Sequence, residues 1–184
     1  DGMFTATDTF PTLTVFTKKV VLDDAIWDGS IATEFKSGSG TRVDPFIISN
    51  GQELAYAITS GVNDAFYKLK NDIYLNDIEK IDWTNGKVES GYTVNKWFTN
   101  NAFSGDIDGD GHVVYGLYYY HPYGSTPYVR VGLFPVLCEY STIENLGLSN
   151  VHLEGVNVPN TDPNHVQDTM GAFVGCVEDY DSYM

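Results

Sequence analysis

The chain has 184 residues, 25 of them acidic and 10 basic, giving a formal net charge of −15 and a pI near 4.3. Such a surface repels phosphate backbones and anionic headgroups, which excludes nucleic acid as a partner; two arginines, Arg42 and Arg130, are too few for a broad anion-binding cleft. Apolar content of 42% suits an ordinary folded domain, and no apolar run approaches the roughly 20 residues that span a bilayer, so membrane insertion is not expected.

Residues 1–25 read as lead-in strands or the end of a preceding module, with Phe10, Leu13, Val15, Val20, Val21 and Leu22 as the apolar positions. The chain starts at Asp1 without an initiator Met or a visible signal peptide, and is read as a piece of something longer. From residue 26 to 184 the text changes to Ile26-Trp27-Asp28-Gly29-Ser30, a Gly/Ser loop at 37–41, and Asp44-Pro45-Phe46-Ile47-Ile48, where Pro45 starts a short strand. Asn50-Gly-Gln-Glu53 is a capping-box-like opening that predicts one short helix with Leu54, Ala57 and Ile58 on one face. Phe66–Leu75 alternates as a strand would, and residues 76–102 read as a long polar connection carrying Trp83 and Trp97.

The region 103–155 is a series of short apolar, β-branched pieces separated by Gly and Asn, each too short for a helix. Gly132-Leu133-Phe134 is restated as Gly171-Ala172-Phe173-Val174-Gly175, 39 residues on (171 − 132). A recurring unit of that length predicts stacked β coils. Cys138 and Cys176 follow these two phrases, one coil apart, as two buried thiols or a bridge between adjacent coils.

The ordered phrases Trp27-Asp28-Gly29-Ser30, Gly38-Ser39-Gly40-Thr41, Asp44-Pro45-Phe46-Ile47-Ile48, Tyr67–Ile73, Phe103-x-Gly105, Asp108-Gly109-Asp110-Gly111-His112, Gly116-Leu117, Gly132-Leu133-Phe134, Ile143-x-Asn145-Leu146 and Gly171–Gly175 resemble a bacterial family of secreted and cell-surface proteins with GLUG-type repeats. The resemblance implies an all-β fold, a right-handed parallel β-helix with an N-terminal helical element, on an extracellular or cell-surface protein. The family's next Ile-x-Asn strand would begin at Tyr183-Met184, so the β-helix is expected to be truncated, with a last coil open to a protein partner. Such modules occur in adhesins, peptidases and glycan-binding proteins; the reading for this chain is adhesion or glycan binding, with part of a polysaccharide lyase or hydrolase, or a structural spacer, as the alternatives.

Three groups of residues invite chemistry. Asp106, Asp108 and Asp110 match the front of a D-x-D-x-D-G calcium loop, but the twelfth position, where a bidentate acid belongs, is Leu117. The resemblance implies instead that Asp108-Gly109-Asp110-Gly111 is a tight turn between two strands, with Gly supplying positive φ and Asp bonding its own backbone; a Ca²⁺ site of another kind is the alternative. Tyr118, Tyr119, Tyr120, Tyr123 and Tyr128 form an unusual aromatic run. They pack a loop onto the β flank or, as exposed rings, make a stacking platform for a polysaccharide or cell-surface glycan, extended by Trp83 and Trp97. His112, His121, His152 and His165 lack metal-ligand spacing, and no catalytic pair can be selected among 25 acids. The reading is a non-catalytic adhesion or glycan-binding module without a cofactor, Ca²⁺ aside.

Overall fold

The structure is a computed structural model that describes residues 25–59, 62, 64–98, 100–121, 129–155 and 169–178. The readings placed on residues 1–24, on Tyr123, Tyr128 and His165, and on the Tyr183-Met184 strand fall outside them. Fourteen strands and one helix are described.

Strand β1 (Phe46–Ile48) leads into helix α1 (Gly51–Thr59). The cap forms as the sequence predicts: Asn50 Oδ1 accepts the Glu53 amide at 2.9 Å. The carboxylate of Glu53 accepts in return from the Ser49 amide at 2.7 Å, one residue before the cap. Leu54, Ala57 and Ile58 are buried, as their spacing requires.

Strands β2 (Ala65–Leu69) and β3 (Ile73–Tyr74) divide the single alternating segment expected at 66–75. The connection at 76–102 contains a hairpin, β4 (Ile81–Asp82) paired antiparallel with β5 (Lys87–Val88). The Lys80 ammonium holds both oxygens of Glu89 at 3.0 Å across its base. Then follow β6 (Ala102–Phe103), β7 (Gly105–Asp108), β8 (Val113–His121), β9 (Arg130–Val131) and β10 (Phe134–Cys138). The described chain closes with β11 (Thr142–Glu144), β12 (Gly147–Gly155), β13 (Thr169–Met170) and β14 (Val174–Glu178).

The expected right-handed parallel β-helix is corrected to a mostly β fold with mixed strand pairing. The strands fall into five separate sheets, ordered β1-β2-β7-β11, β14-β10-β6, β12-β8-β3, β13-β9 and β4-β5, and these are not stacked into a single solenoid. A solenoid needs a constant repeat, and the pairing does not keep one. Phe46 lies opposite Tyr67 only a short loop and helix away, whereas Tyr67 lies opposite Ile107 and Ile107 opposite Ile143. The two Gly-x-Phe phrases do become neighbours: the Leu133 and Phe134 amides donate to the Ala172 and Phe173 carbonyls at 3.0 and 2.8 Å. Their aromatic rings nevertheless fare differently, with Phe134 fully buried and Phe173 37% exposed.

Cys138 and Cys176 are both free thiols. Cys138 lies opposite Glu178 and Cys176 opposite Val136, so the two cysteines are diagonal rather than facing. Strand spacing and rise put such a diagonal at about 8 Å, beyond the roughly 7 Å that a disulfide spans.

One core runs through the molecule, with Trp27, Leu54, Tyr67, Trp97, Phe103, Ile107, Leu117 and Phe134 among its buried members. Tyr67, Phe103 and Phe134 form a chain of tilted rings 5.6 and 5.0 Å apart, centroid to centroid. Burial pushes the Tyr67 phenol up to about 12. Among the described residues no helix is long and apolar enough to cross a membrane.

Candidate functional site

The tyrosine strand does not present a flat row of rings. Gly116 takes a φ of 82° inside β8, and a side chain there would strike the backbone of Asn76 at 2.9 Å. This left-handed step re-phases the alternation. Beyond it Tyr118 is 8% exposed: its hydroxyl donates to the Gly86 carbonyl at 3.2 Å, and its ring lies 5.2 Å from that of His152. His152 packs so close to Gly86 that any β-carbon at the hairpin tip would overlap its imidazole. Tyr118 therefore secures the hairpin to β8 and β12. Desolvation, with Glu154 and Tyr120 nearby, raises its pKa. Tyr119 is half-buried, and Tyr120 is 36% exposed with the Lys96 ammonium 6.0 Å from its ring centre.

The two tryptophans proposed to extend the platform separate. Trp97 is 3% exposed, donates its indole N–H to the Leu133 carbonyl at 2.9 Å, and packs against Trp27 and Phe98 at 5.0 Å each. It is a core residue. Trp83 sits half-buried on the hairpin, its indole N–H bonded to the Ile78 carbonyl at 2.9 Å.

Asp108, Gly109, Asp110 and Gly111 make the turn between β7 and β8. Asp108 Oδ1 accepts from the Asp110 amide at 2.9 Å and from the Asn145 side chain at 3.0 Å. Asp110 and Gly111 take φ of 49° and 81°. Gly109 is required for space, because a β-carbon there would lie 2.5 Å from the Asn145 carbonyl. The Lys68 ammonium lies 3.1 Å from Asp110 Oδ2 and 3.9 Å from Asp108 Oδ2. Asp106 belongs to the middle of β7. Among the described residues no three His, Cys, Asp or Glu side chains converge as a metal site.

The hydrogen bond from Asn145, then that from the Asp110 amide, and last the Lys68 charge hold the Asp108 carboxyl below the usual aspartate range. A depressed folded-state pKa stabilises the fold above the unfolded value and ceases to do so as the pH falls through the folded one. Asn145→Ala should accordingly move the Asp108 titration upward, read from its carboxyl carbon by NMR between about pH 2 and 6. An unchanged titration would locate the cause elsewhere.

The turn stands at one end of a groove that the sequence does not announce. Alternation in β2 and β7 buries Ala65, Tyr67, Leu69, Gly105 and Ile107 and leaves Phe66, Lys68, Asp106 and Asp108 on the outer face. Register aligns Phe66 with Asp106 and Thr142 in one row, and Lys68 with Asp108 and Glu144 in the next. Together with Arg42 and Pro45 these residues line a cavity of about 410 Å³. The Arg42 guanidinium lies 5.4 Å from the Phe66 ring centre. Among the described residues, the side chains of Asp106, Thr142 and Glu144 make no hydrogen bond or ion pair. Lys68, Asp108 and Asp110 instead satisfy one another and the turn.

The groove offers an aromatic ring, a hydroxyl and two unpaired carboxylates within one small concavity.

The chain is similar to halomucin of Haloquadratum walsbyi (strain DSM 16790 / HBSQ001), with 31% identity over 133 residues, 71% of this chain. The chain spans about 1% of the length of that relative. No protein-family model and no solved structure matches it.

Proposed function

We propose that this chain is a non-catalytic module of an extracellular or cell-surface protein and that the groove on the outer face of β2, β7 and β11 binds a glycan. The carrying observation is the set of polar groups in a concave site that the fold itself leaves unused, Asp106, Thr142 and Glu144, beside the half-buried Phe66 ring. Carboxylates and hydroxyls of this kind accept and donate the hydrogen bonds of sugar hydroxyls, while an aromatic ring meets the apolar face of the sugar. The likeness to halomucin, a name that speaks of a mucin, supports the extracellular setting. So does the resemblance of the ordered phrases to secreted proteins with GLUG-type repeats.

Glycan-array binding and pull-down on insoluble polysaccharides test the reading, with Phe66→Ala and Tyr120→Ala compared against the unsubstituted chain. Loss of the Phe66 contact, worth about 1.4 kcal/mol for a good stacking partner, should weaken binding roughly tenfold. Tyr120→Ala should leave it unchanged. Binding that depends on Tyr120 and not on Phe66 would return the site to the tyrosine strand. Failure to bind any glycan would leave a spacer as the better account.

A further inference from the structure

We propose that the hairpin tip carries a modification site: Asn85 loses its side-chain ammonia to attack by the Gly86 amide nitrogen, and the product frees the hairpin from the tyrosine strand. Asparagine is among the chemically labile side chains, and Asn85 is exposed in the loop between β4 and β5. Glycine at 86 leaves the next backbone nitrogen unshielded by a side chain. The fold cannot replace that glycine, because it takes a φ of 69° and any β-carbon would overlap the His152 ring. The residue that seats the tip on β12 is thus the residue that makes Asn85 reactive. Two of the three reacting groups are already held. The Lys87 amide donates to Asn85 Oδ1 at 2.9 Å, and this oxygen takes the negative charge when Cγ becomes tetrahedral. The leaving nitrogen, Nδ2, donates to Asp82 Oδ2 at 2.8 Å. The third group, the Gly86 N–H, donates to the Asp82 carbonyl at 2.8 Å and must leave it before the nitrogen attacks. The reaction therefore waits on a local opening of the tip, which the Tyr118 hydroxyl opposes through its bond to the Gly86 carbonyl.

In the open tip the Gly86 nitrogen gives its proton to hydroxide and bonds to Asn85 Cγ. The Cγ–Nδ2 bond breaks, Nδ2 takes a proton from water, and ammonia departs. Water then opens the cyclic imide at either carbonyl, leaving an aspartyl or an isoaspartyl residue at position 85. Both products undo the tip. A carboxylate cannot donate to Asp82 as the amide does, so two like charges meet where a hydrogen bond stood. The isoaspartyl form also adds a methylene to the backbone beside Gly86, which packs against His152 with no room for a β-carbon. Asn50-Gly51 is the same dipeptide in the opposite setting. Asn50 Oδ1 accepts from the Glu53 amide at 2.9 Å, and Gly51 opens α1, buried against the Trp27 side chain. Ring closure there requires the start of the helix to unwind from the core, whereas at Asn85 it requires only the tip to lift.

The test is incubation of the full chain at mildly alkaline pH, followed over time by peptide mapping with mass spectrometry and by enzymatic methylation of isoaspartate. The peptide holding Asn85 should show the mass of an amide turned to an acid, and the isoaspartate label, while the peptide holding Asn50 stays unchanged. In urea both should react, which assigns the protection of Asn50 to the fold. Asn85→Gln should abolish the change at that position, since the longer side chain closes its ring far less readily. Tyr118→Phe should speed the reaction at Asn85 roughly fivefold, the factor that one hydrogen bond is worth. In the modified chain the Lys87 and Val88 amides should exchange with deuterium faster than in the fresh one. Asn50 reacting as fast as Asn85 in the folded chain, or position 85 unchanged while the unfolded chain reacts, would overturn the site. An unaltered rate in Tyr118→Phe would overturn control by tip opening, and unaltered exchange after modification would overturn the release of the hairpin.

Discussion

Replacing Asn76 with leucine should lower the stability of the fold by about 4 kcal/mol, because one buried and two partly buried backbone groups lose their partner at once. Asn76 is fully buried in the segment after β3. Its amide nitrogen donates to the carbonyls of Asn95 at 2.8 Å and Gly116 at 2.9 Å. Its carbonyl accepts from the Asn95 amide at 2.7 Å. The bond to the Gly116 carbonyl holds the left-handed step that turns Tyr118 toward the hairpin. Leucine fills the volume and bonds none of these groups, and each orphaned group costs about 1–3 kcal/mol. Urea unfolding followed by circular dichroism gives the answer as a shift in midpoint at constant slope. A loss under about 1 kcal/mol would mean that water reaches these groups.

The second large effect is expected at Trp97. Its truncation to alanine should cost about 3–5 kcal/mol, the usual range for a large aromatic removed from a core. The lost indole N–H also leaves the Leu133 carbonyl unpaired. The control is Trp83→Ala, on the half-buried hairpin face, which should cost about 1 kcal/mol. The contrast matters because the two tryptophans look alike in sequence, both lying in a polar connection. Equal, small losses would place Trp97 at the surface and restore it as a ring available to a ligand.

Local chemistry was readable wherever a few neighbouring residues decide the outcome. The Asn50–Glu53 cap and the Asp108–Gly111 turn are of this kind, since donors, acceptors and positive φ lie within four residues. What escaped reading depends on partners far along the chain. The hairpin at β4 and β5 has strands of two residues, too short to carry a periodicity. The tyrosine run alternates on paper, but the step at Gly116 and the distant hairpin tip at Gly86 decide which rings face water. The groove combines Lys68, Asp108 and Glu144, which meet only through register. The solenoid was inferred from one repeated phrase. That phrase does bring β10 and β14 together, but a single pair of neighbours does not impose a constant repeat on the other sheets. The resemblance carried the same assumption of regularity from its family.

Backbone amide shifts followed by NMR during titration with N-acetylglucosamine oligomers test the central claim most directly. The account predicts that the perturbed amides cluster at Phe66–Lys68, Asp106–Asp108 and Thr142–Glu144, the three outer strands of the groove. Perturbations confined to Tyr118–Tyr120 and the hairpin, with these nine residues silent, would contradict it.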